Sequence, residues 1–454
     1  MDNFLISVIS FIVAVSVIVT VHEFGHFIVA RTLGVKVLRF SVGFGRSLLR
    51  YKSAKSGVEY VLASIPLGGY VKMLDEREGE VAPSEQHLAF NRQPVGSRLA
   101  IAAAGPMFNF IFAVFAYACM YLLGVQGVIP EVGEVEPNSL ADQAGLKQGD
   151  IIVQVNHKPV STWEEASIAM IDEGLKTGVI RLSKKDTHQR ESEVLLDLSD
   201  TRVLLDEGSP LEKIGVQPWR LKLYARLGEF APESAAREQG LEEGDTILSA
   251  NGEALSDWAQ LVNVVQSHPN KPISLEILRG EEPMSRVIIP AAEVVDGQKV
   301  GRIGVYPWID EEARSKRQVT LREGLFDSIH KGASKTLDMS VLTVKLLGKL
   351  LTGEASVKNI SGPISIAEYA GISAQLGLAT FLSTLAIISI SIGILNLMPV
   401  PILDGGHILY CLVEVIKGSP VSEATQLVGQ KVGIFMLAGL MTLAFYNDFQ
   451  RVFS

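Results

Sequence analysis

Long uncharged runs alternate along the chain with polar stretches, and the runs are of a length that crosses a bilayer. The first, Phe4 to Val21, provides about what a helix needs to span a hydrocarbon core, and its pattern continues as helix toward Ala30. A second uncharged run, Leu99 to Pro130, predicts a second span with Gly105-Pro106 near its start and Asn109 inside it. A lone membrane asparagine reads more readily as a helix-packing hydrogen bonder than as a catalytic group. A third span is expected at Leu376 to Leu397, within an uncharged stretch from Tyr369 to Leu403. A short fourth is expected at Val432 to Tyr446, between Lys431 and Asp448, crossing if Lys431 snorkels. From Leu321 to Leu351, Leu325, Ile329, Leu337, Val341, Val344 and Leu347 interleave with Lys331, Lys335, Lys345 and Lys349. This predicts an amphipathic helix or pair, either on the membrane surface or packed on the preceding polar domain.

The polar stretches have their own order. Between the first two spans, Val58 to Met73 mixes β-formers with Pro66-Leu67-Gly68-Gly69 and predicts a hairpin or β-loop. Either it closes on itself or it keeps a strand edge free for an extended peptide. Ser41-Val42-Gly43-Phe44-Gly45 suits a tight or re-entrant turn. From about 127 to 310 the chain repeats itself. Pro137, Ser139, Ala141, Gly145, Leu146, Gly149, Asp150, Ile152, Asn156 and Trp163 recur 95 positions on as Pro232, Ser234, Ala236, Gly240, Leu241, Gly244, Asp245, Ile247, Asn251 and Trp258, without a gap. That predicts two copies of one domain.

Composition sharpens this organisation. At 454 residues several units are expected, and 47% hydrophobic residues beside 20% charged fit apolar spans joined to polar domains. The mean hydropathy of +0.26 agrees. A net charge of −9 without a basic stripe excludes a nucleic-acid surface. Cys119 and Cys411 lie in or beside apolar runs and form no Cys-x-x-Cys, so neither a disulfide framework nor a zinc knuckle is expected. The apolar N-terminus lacks a basic leader and a small-x-small cleavage site, which predicts a retained anchor. Arg31 to Arg98 is rich in lysine and arginine and Met1 to Phe4 has none. The charge bias therefore puts that loop in the cytoplasm, with both termini and the repeats on the outside.

The candidate chemistry lies where the first span ends, at His22-Glu23-Phe24-Gly25-His26. On a helix, His22 and His26 share a face one turn apart and can hold one metal ion, with Glu23 beside them to take a proton from water. The bland reading is a helix end whose histidines are merely solvated, but ionisable groups in a membrane are expensive and commonly functional. A catalytic zinc wants a third protein ligand and an open position. Asp404 is the supplier that topology favours, because the third span runs inward and ends beside the prolines of Asn396-Leu397-Met398-Pro399-Val400-Pro401-Ile402-Leu403-Asp404-Gly405-Gly406-His407. His407 is the rival ligand. Two other functional classes stay open: a membrane-tethered scaffold that needs no metal, and a metal-dependent transporter, which four spans support poorly.

The motifs on the first and third spans, with the tandem repeat between the second and third, resemble the site-2 protease family over essentially the whole chain. The repeats, with Ala144-Gly145-Leu146-Lys147-Gln148-Gly149-Asp150 in the first, are similar to PDZ domains of bacterial envelope proteases. The resemblance implies a polytopic α-helical membrane protein with four transmembrane helices, a membrane-associated β-loop and two tandem PDZ-like α+β domains. Its expected divisions are 1–126 for the first two spans and the β-loop, 127–220 and 221–315 for the PDZ-like copies, 316–360 for amphipathic surface helices, and 361–454 for the last two spans. It implies an intramembrane zinc endopeptidase of the bacterial inner membrane, with one Zn2+ per chain held by His22, His26 and Asp404 and Glu23 as catalytic base. Substrate handling would fall to Asn396, Pro399 and Pro401 and to Gly68, Gly69, Tyr70 and Val71 of the β-loop, with Gly43-Phe44-Gly45 matching a family loop motif. The implied substrates are single-span membrane proteins, a pre-clipped anti-sigma factor (RseA) and remnant signal peptides, cut within the lipid bilayer.

Overall fold

The computed structural model describes residues 2–200, 202–205, 208–295 and 298–453. Four helices are long and apolar enough to cross a membrane. They are α1 (Asp2–Thr32), α2 (Val95–Leu123), α5 (Leu378–Leu397) and α7 (Glu423–Phe453), and α3 (Leu325–Leu351), α4 (Pro363–Leu376) and α6 (Asp404–Lys417) complete the helical framework. Three of the four match the expected spans closely. The fourth is a helix of 31 residues where about fifteen were expected. The charge read as its end, Asp448, is fully buried inside it. Its carboxylate accepts from the backbone N–H groups of Gly362, Ile364 and Ser365 and from Ser365 Oγ. These are the unsatisfied donors at the start of α4, so the carboxylate caps a neighbouring helix.

The lysine-interleaved segment is one helix of 27 residues, α3, packed against α2. Its buried stripe is not the apolar one. Ser328, Gly332 and Thr336 face inward, while Leu325, Ile329, Leu337, Val341 and Val344 stay exposed. Small residues allow close approach, and a Cβ on Gly332 would stand 2.8 Å from the Val114 carbonyl of α2. The outward apolar face suits contact with lipid.

The basic loop folds into β1 (Val37–Lys52) and β2 (Glu59–Met73). The hairpin is therefore made by both strands, rather than within 58–73 as expected. The two pair along more than one stretch, so Phe40 has Val71 on one side and Tyr60 on the other. Gly69 to Met73 then pairs on one side only.

The two repeats fold alike. The first has strands Lys158–Pro159, Ile151–Val155, Val179–Lys185 and Glu191–Asp197 in that spatial order, and the second has Glu253–Ala254, Thr246–Ala250, Ile273–Arg279 and Glu282–Ile288. The recurring residues are those with backbone tasks. Asn156 and Asn251 both sit at left-handed φ, 52° and 53°, and their side-chain oxygens accept from the Arg181 and Ser274 amides. Ser139 and Ser234 cap short helices. Asp150 and Asp245 each accept from a backbone amide three residues earlier and from a cation on the third strand, Lys184 in one copy and Arg279 in the other. The chain enters and leaves this repeat-containing half through one antiparallel pair, Val125–Val128 with Gln318–Leu321.

Candidate metal centre

The site is assembled from three helices. Helical geometry stacks His22 and His26, both buried, with their Nε2 atoms 3.2 Å apart. Helix α2 crosses α1 closely there because both lack side chains at the crossing. A Cβ on Gly25 would meet the Ala104 carbonyl at 2.5 Å, and one on Gly105 would collide with His26 Nε2 and stand 2.7 Å from His22 Nε2. The third contributor begins where α5 stops. Pro399 and Pro401 supply no N–H, and the chain runs out of helix from Met398 before α6 starts at Asp404. Gly405 and Gly406 let this connector fold back on the new helix, since a Cβ on either would strike the backbone of Leu397 and Met398 or of Val400 and Pro401. That fold aims Asp404, whose Oδ2 lies 3.1 Å from His22 Nε2 and whose Oδ1 lies 3.4 Å from His26 Nε2.

These contacts are not ordinary hydrogen bonds. His26 Nδ1 is 2.7 Å from the Ile101 carbonyl oxygen, which can only accept, so Nδ1 carries the proton and Nε2 of neutral His26 presents a lone pair. Asp404 Oδ2 is buried without a hydrogen-bond partner. His26 Nε2 and the Asp404 carboxylate thus bring electron-rich atoms together beside His22 Nε2, where a cation would relieve their repulsion. The two imidazole nitrogens stand 3.2 Å apart, close to the edge of about 3.3 Å of a tetrahedron whose N and O ligands lie about 2.0–2.1 Å from zinc, and each has a different oxygen of Asp404 beside it, at 3.1 and 3.4 Å. Among the described residues, His22, His26 and Asp404 are the one cluster of three such groups. The donor set fits Zn2+, and His407 is not among the converging donors.

Comparison with known proteins agrees with this geometry. The model of peptidase family M50 matches residues 10–440. The chain belongs to peptidase family M50. It is an intramembrane zinc metalloprotease of the site-2 type. It is similar to the "Regulator of sigma-E protease RseP" of Escherichia coli K12, at 43% identity with all of both chains covered. It is also similar to the "Regulator of sigma E protease" of Salmonella typhi, at 42% with 98% of each chain covered, and to a "Putative zinc metalloprotease" of Vibrio cholerae, at 40% with all of each chain covered.

In this M50 chain the donors open into a cavity of about 350 Å3, lined also by Glu23, Tyr70, Val71, Met73, Phe90 and His407. The backbone amide of Val71 faces the Glu23 carboxylate. Gly69 lies tight on α1, where a Cβ would meet Glu23 Cγ at 3.1 Å, and Ser16 Oγ donates to the Pro66 carbonyl. Gly68 passes under Phe44, which stacks on Tyr70 with the ring planes 9° apart. The one-sided strand Gly69 to Met73 therefore borders the metal-binding donors. Asn396, Pro399 and Pro401 do not line the cavity. Asn396 sits on the last turn of α5 and makes no side-chain hydrogen bond among the described residues, and Pro401 packs on Gly406 and Gly429. Three contributors from α2 escaped the sequence reading: the Ile101 carbonyl, Gly105 and Asn109. Their signal was the four-residue spacing of 101, 105 and 109, which puts them on one helix face.

Proposed function

We propose that this chain cleaves single-span membrane proteins at a site holding one zinc ion between His22, His26 and Asp404. Zinc supplies Lewis acidity, making a water molecule acidic near neutral pH and polarising a peptide carbonyl. Glu23 acts as general base, taking the proton on a carboxylate oxygen and returning it to the nitrogen of the leaving amine. A helical substrate hides its carbonyls in internal hydrogen bonds, so it must be unwound before attack. The one-sided edge formed by Gly69, Tyr70 and Val71, beyond the Gly68 turn, accepts the unwound segment as an added strand. Asn396, with a carboxamide free to bond peptide backbone, pins that segment from the α5 side, and Pro399 and Pro401 hold the connector open beside it.

The relatives named regulators of sigma-E support a substrate in sigma-factor control. On this reading it is a single-span anti-sigma factor of the RseA type after an outer cut, together with remnant signal peptides. The protein sits in the bacterial inner membrane with the basic β-loop in the cytoplasm and both termini and the PDZ-like copies outside, where the copies turn away substrates with bulky outer domains. The convergence of two imidazoles and one carboxylate beside Glu23 and an unpaired strand edge carries this reading. The test is cleavage of a reconstituted single-span substrate by the full chain with and without a chelator, beside Glu23→Gln. Cleavage should stop in both, and the Gln variant should keep its zinc. Full activity under chelation would overturn the zinc assignment, and an active Gln variant would overturn the base.

A further inference from the structure

Helix α2 serves the two histidines unequally. His26 has a backbone carbonyl at Nδ1, whereas His22 has the side chain of Asn109, with Nδ2 3.3 Å from His22 Nδ1. Asn109 is fully buried, and its Oδ1 has no hydrogen-bond partner. Nor is the side chain spent on helix packing. That task falls to its backbone carbonyl, which accepts from Ser389 Oγ of α5 at 2.9 Å.

A buried acceptor without a partner beside a ring nitrogen invites the opposite amide orientation. With Nδ2 toward the ring, His22 Nδ1 must accept, the proton of the neutral ring sits on Nε2, and that atom cannot offer a lone pair to a cation. Turning the carboxamide over brings Oδ1 to Nδ1, where it accepts the ring proton and leaves the Nε2 lone pair facing Asp404 and His26. One amide atom is unpartnered in either orientation, so the histidine tautomer decides between them.

We infer that Asn109 is the positioning residue of His22, its side-chain carbonyl accepting the Nδ1 proton and so holding Nε2 as a metal-donating lone pair. This rests on His22, His26 and Asp404 being the ligand set. Asparagine suits the place because it can face either tautomer, as a lone carbonyl or a lone N–H cannot. A partner of this kind orients a ligand and raises its basicity, and its loss commonly costs ten- to a hundredfold in metal affinity.

The test is zinc affinity, measured by chelator competition on the full chain in detergent, with the melting temperature of the zinc-stripped protein as the folding control. Asn109→Leu removes the acceptor while keeping similar bulk, and it should weaken zinc by about ten- to a hundredfold with the stripped protein still folded. Asn109→Asp keeps an acceptor at His22 and should hold zinc at least as tightly as the parent. A folded Leu variant with parental affinity overturns the inference. If the Leu variant does not fold, the Asp variant decides, and a folded Asp protein with tenfold weaker zinc overturns it too. Failure of the ligand set itself looks different: zinc affinity of the parent chain would then survive Asp404→Ala.

Discussion

The membrane half and the repeat half obtain their order in opposite ways. Around the metal-binding donors it is the absence of side chains that sets geometry. Gly25, Gly105, Gly405 and Gly406 each occupy a place where one more carbon would strike backbone or a donor ring. The repeat half is built from added groups, namely capping serines, left-handed asparagines and buried carboxylate-cation pairs, all of them repeated. A site made by exclusion has no slack, because the missing atom cannot be accommodated by rotation. A site made by hydrogen bonds loses one bond at a time.

Within the repeat half the two copies also differ. The first is latched to α3, with Lys335 Nζ 2.8 Å from Glu164 and Lys345 Nζ 2.6 Å from Asp172, which also takes Lys158 and Lys176. Leu204 and Leu211 fill the space beside its long helix against Met170 and Leu198, leaving about 10 Å3. The corresponding groove of the second copy, between Trp258 to Gln266 and Gly301 to Tyr306, is open at about 120 Å3. Among the described residues no ion pair ties the second copy to the membrane helices. One copy is fixed to the membrane helices by ion pairs and the other, among the described residues, is not.

The contrast between the halves is tested most severely by Gly105→Val. Its branched side chain should drive the two imidazoles apart, removing zinc and lowering cleavage by at least about a thousandfold, the scale expected when a zinc-dependent nucleophile is lost. Metal content and turnover check it, and a zinc-loaded Val variant would show that the crossing has slack. A smaller effect is expected at the latch. Burial alone would raise the pKa of Asp172, but its three lysine partners outweigh that and hold the carboxyl well below the usual range. Its contribution is therefore complete above about pH 4 and is lost as the pH falls toward the depressed folded value. Asp172→Asn should cost about 2 kcal/mol at pH 7 by taking the carboxylate from Lys345 and leaving Lys158 and Lys176 with Glu173 alone. The gap in melting temperature between parent and variant should close as the pH is lowered from 5 toward 3, and a constant gap would refute the charge argument.

Removing the other latch with Lys335→Ala should change stability by about 1 kcal/mol and chiefly alter selectivity. A substrate with its outer domain intact should be cut several times faster, while a pre-clipped one is cut at the parental rate. Equal rates for both would count against the first copy as part of a filter. The smallest effect is expected in the second copy. Asp257 caps the Trp258–Gln266 helix by accepting from the Gln260 amide, and Asp257→Ala should cost about 1 kcal/mol with no change in cleavage of the pre-clipped substrate.

Much of the molecule was legible from the chain alone where the signal is local. Apolar runs marked the spans, helical spacing joined His22 to His26, and a constant offset exposed the repeat, because each depends on neighbours in sequence. The fourth span was underestimated because Asp448 looked like a terminator, and only packing shows it capping α4. Asn109 is the interhelical hydrogen bonder its place in a span suggested, but that its partner is His22, 87 residues away, is visible only in the packed structure.

The residue types fit to bind zinc, the order of spans and the domain repeat were thus determined by sequence itself. Topology had already pointed Asp404 at the two imidazoles, whereas the distances at which they meet, the free edge beside Glu23 and the choice of which repeat is latched to the membrane half were decided only by tertiary structure. The physical reason is that each depends on groups distant in sequence meeting in space, through backbones that glycines let approach around the donors and through lysine–carboxylate pairs at the latch.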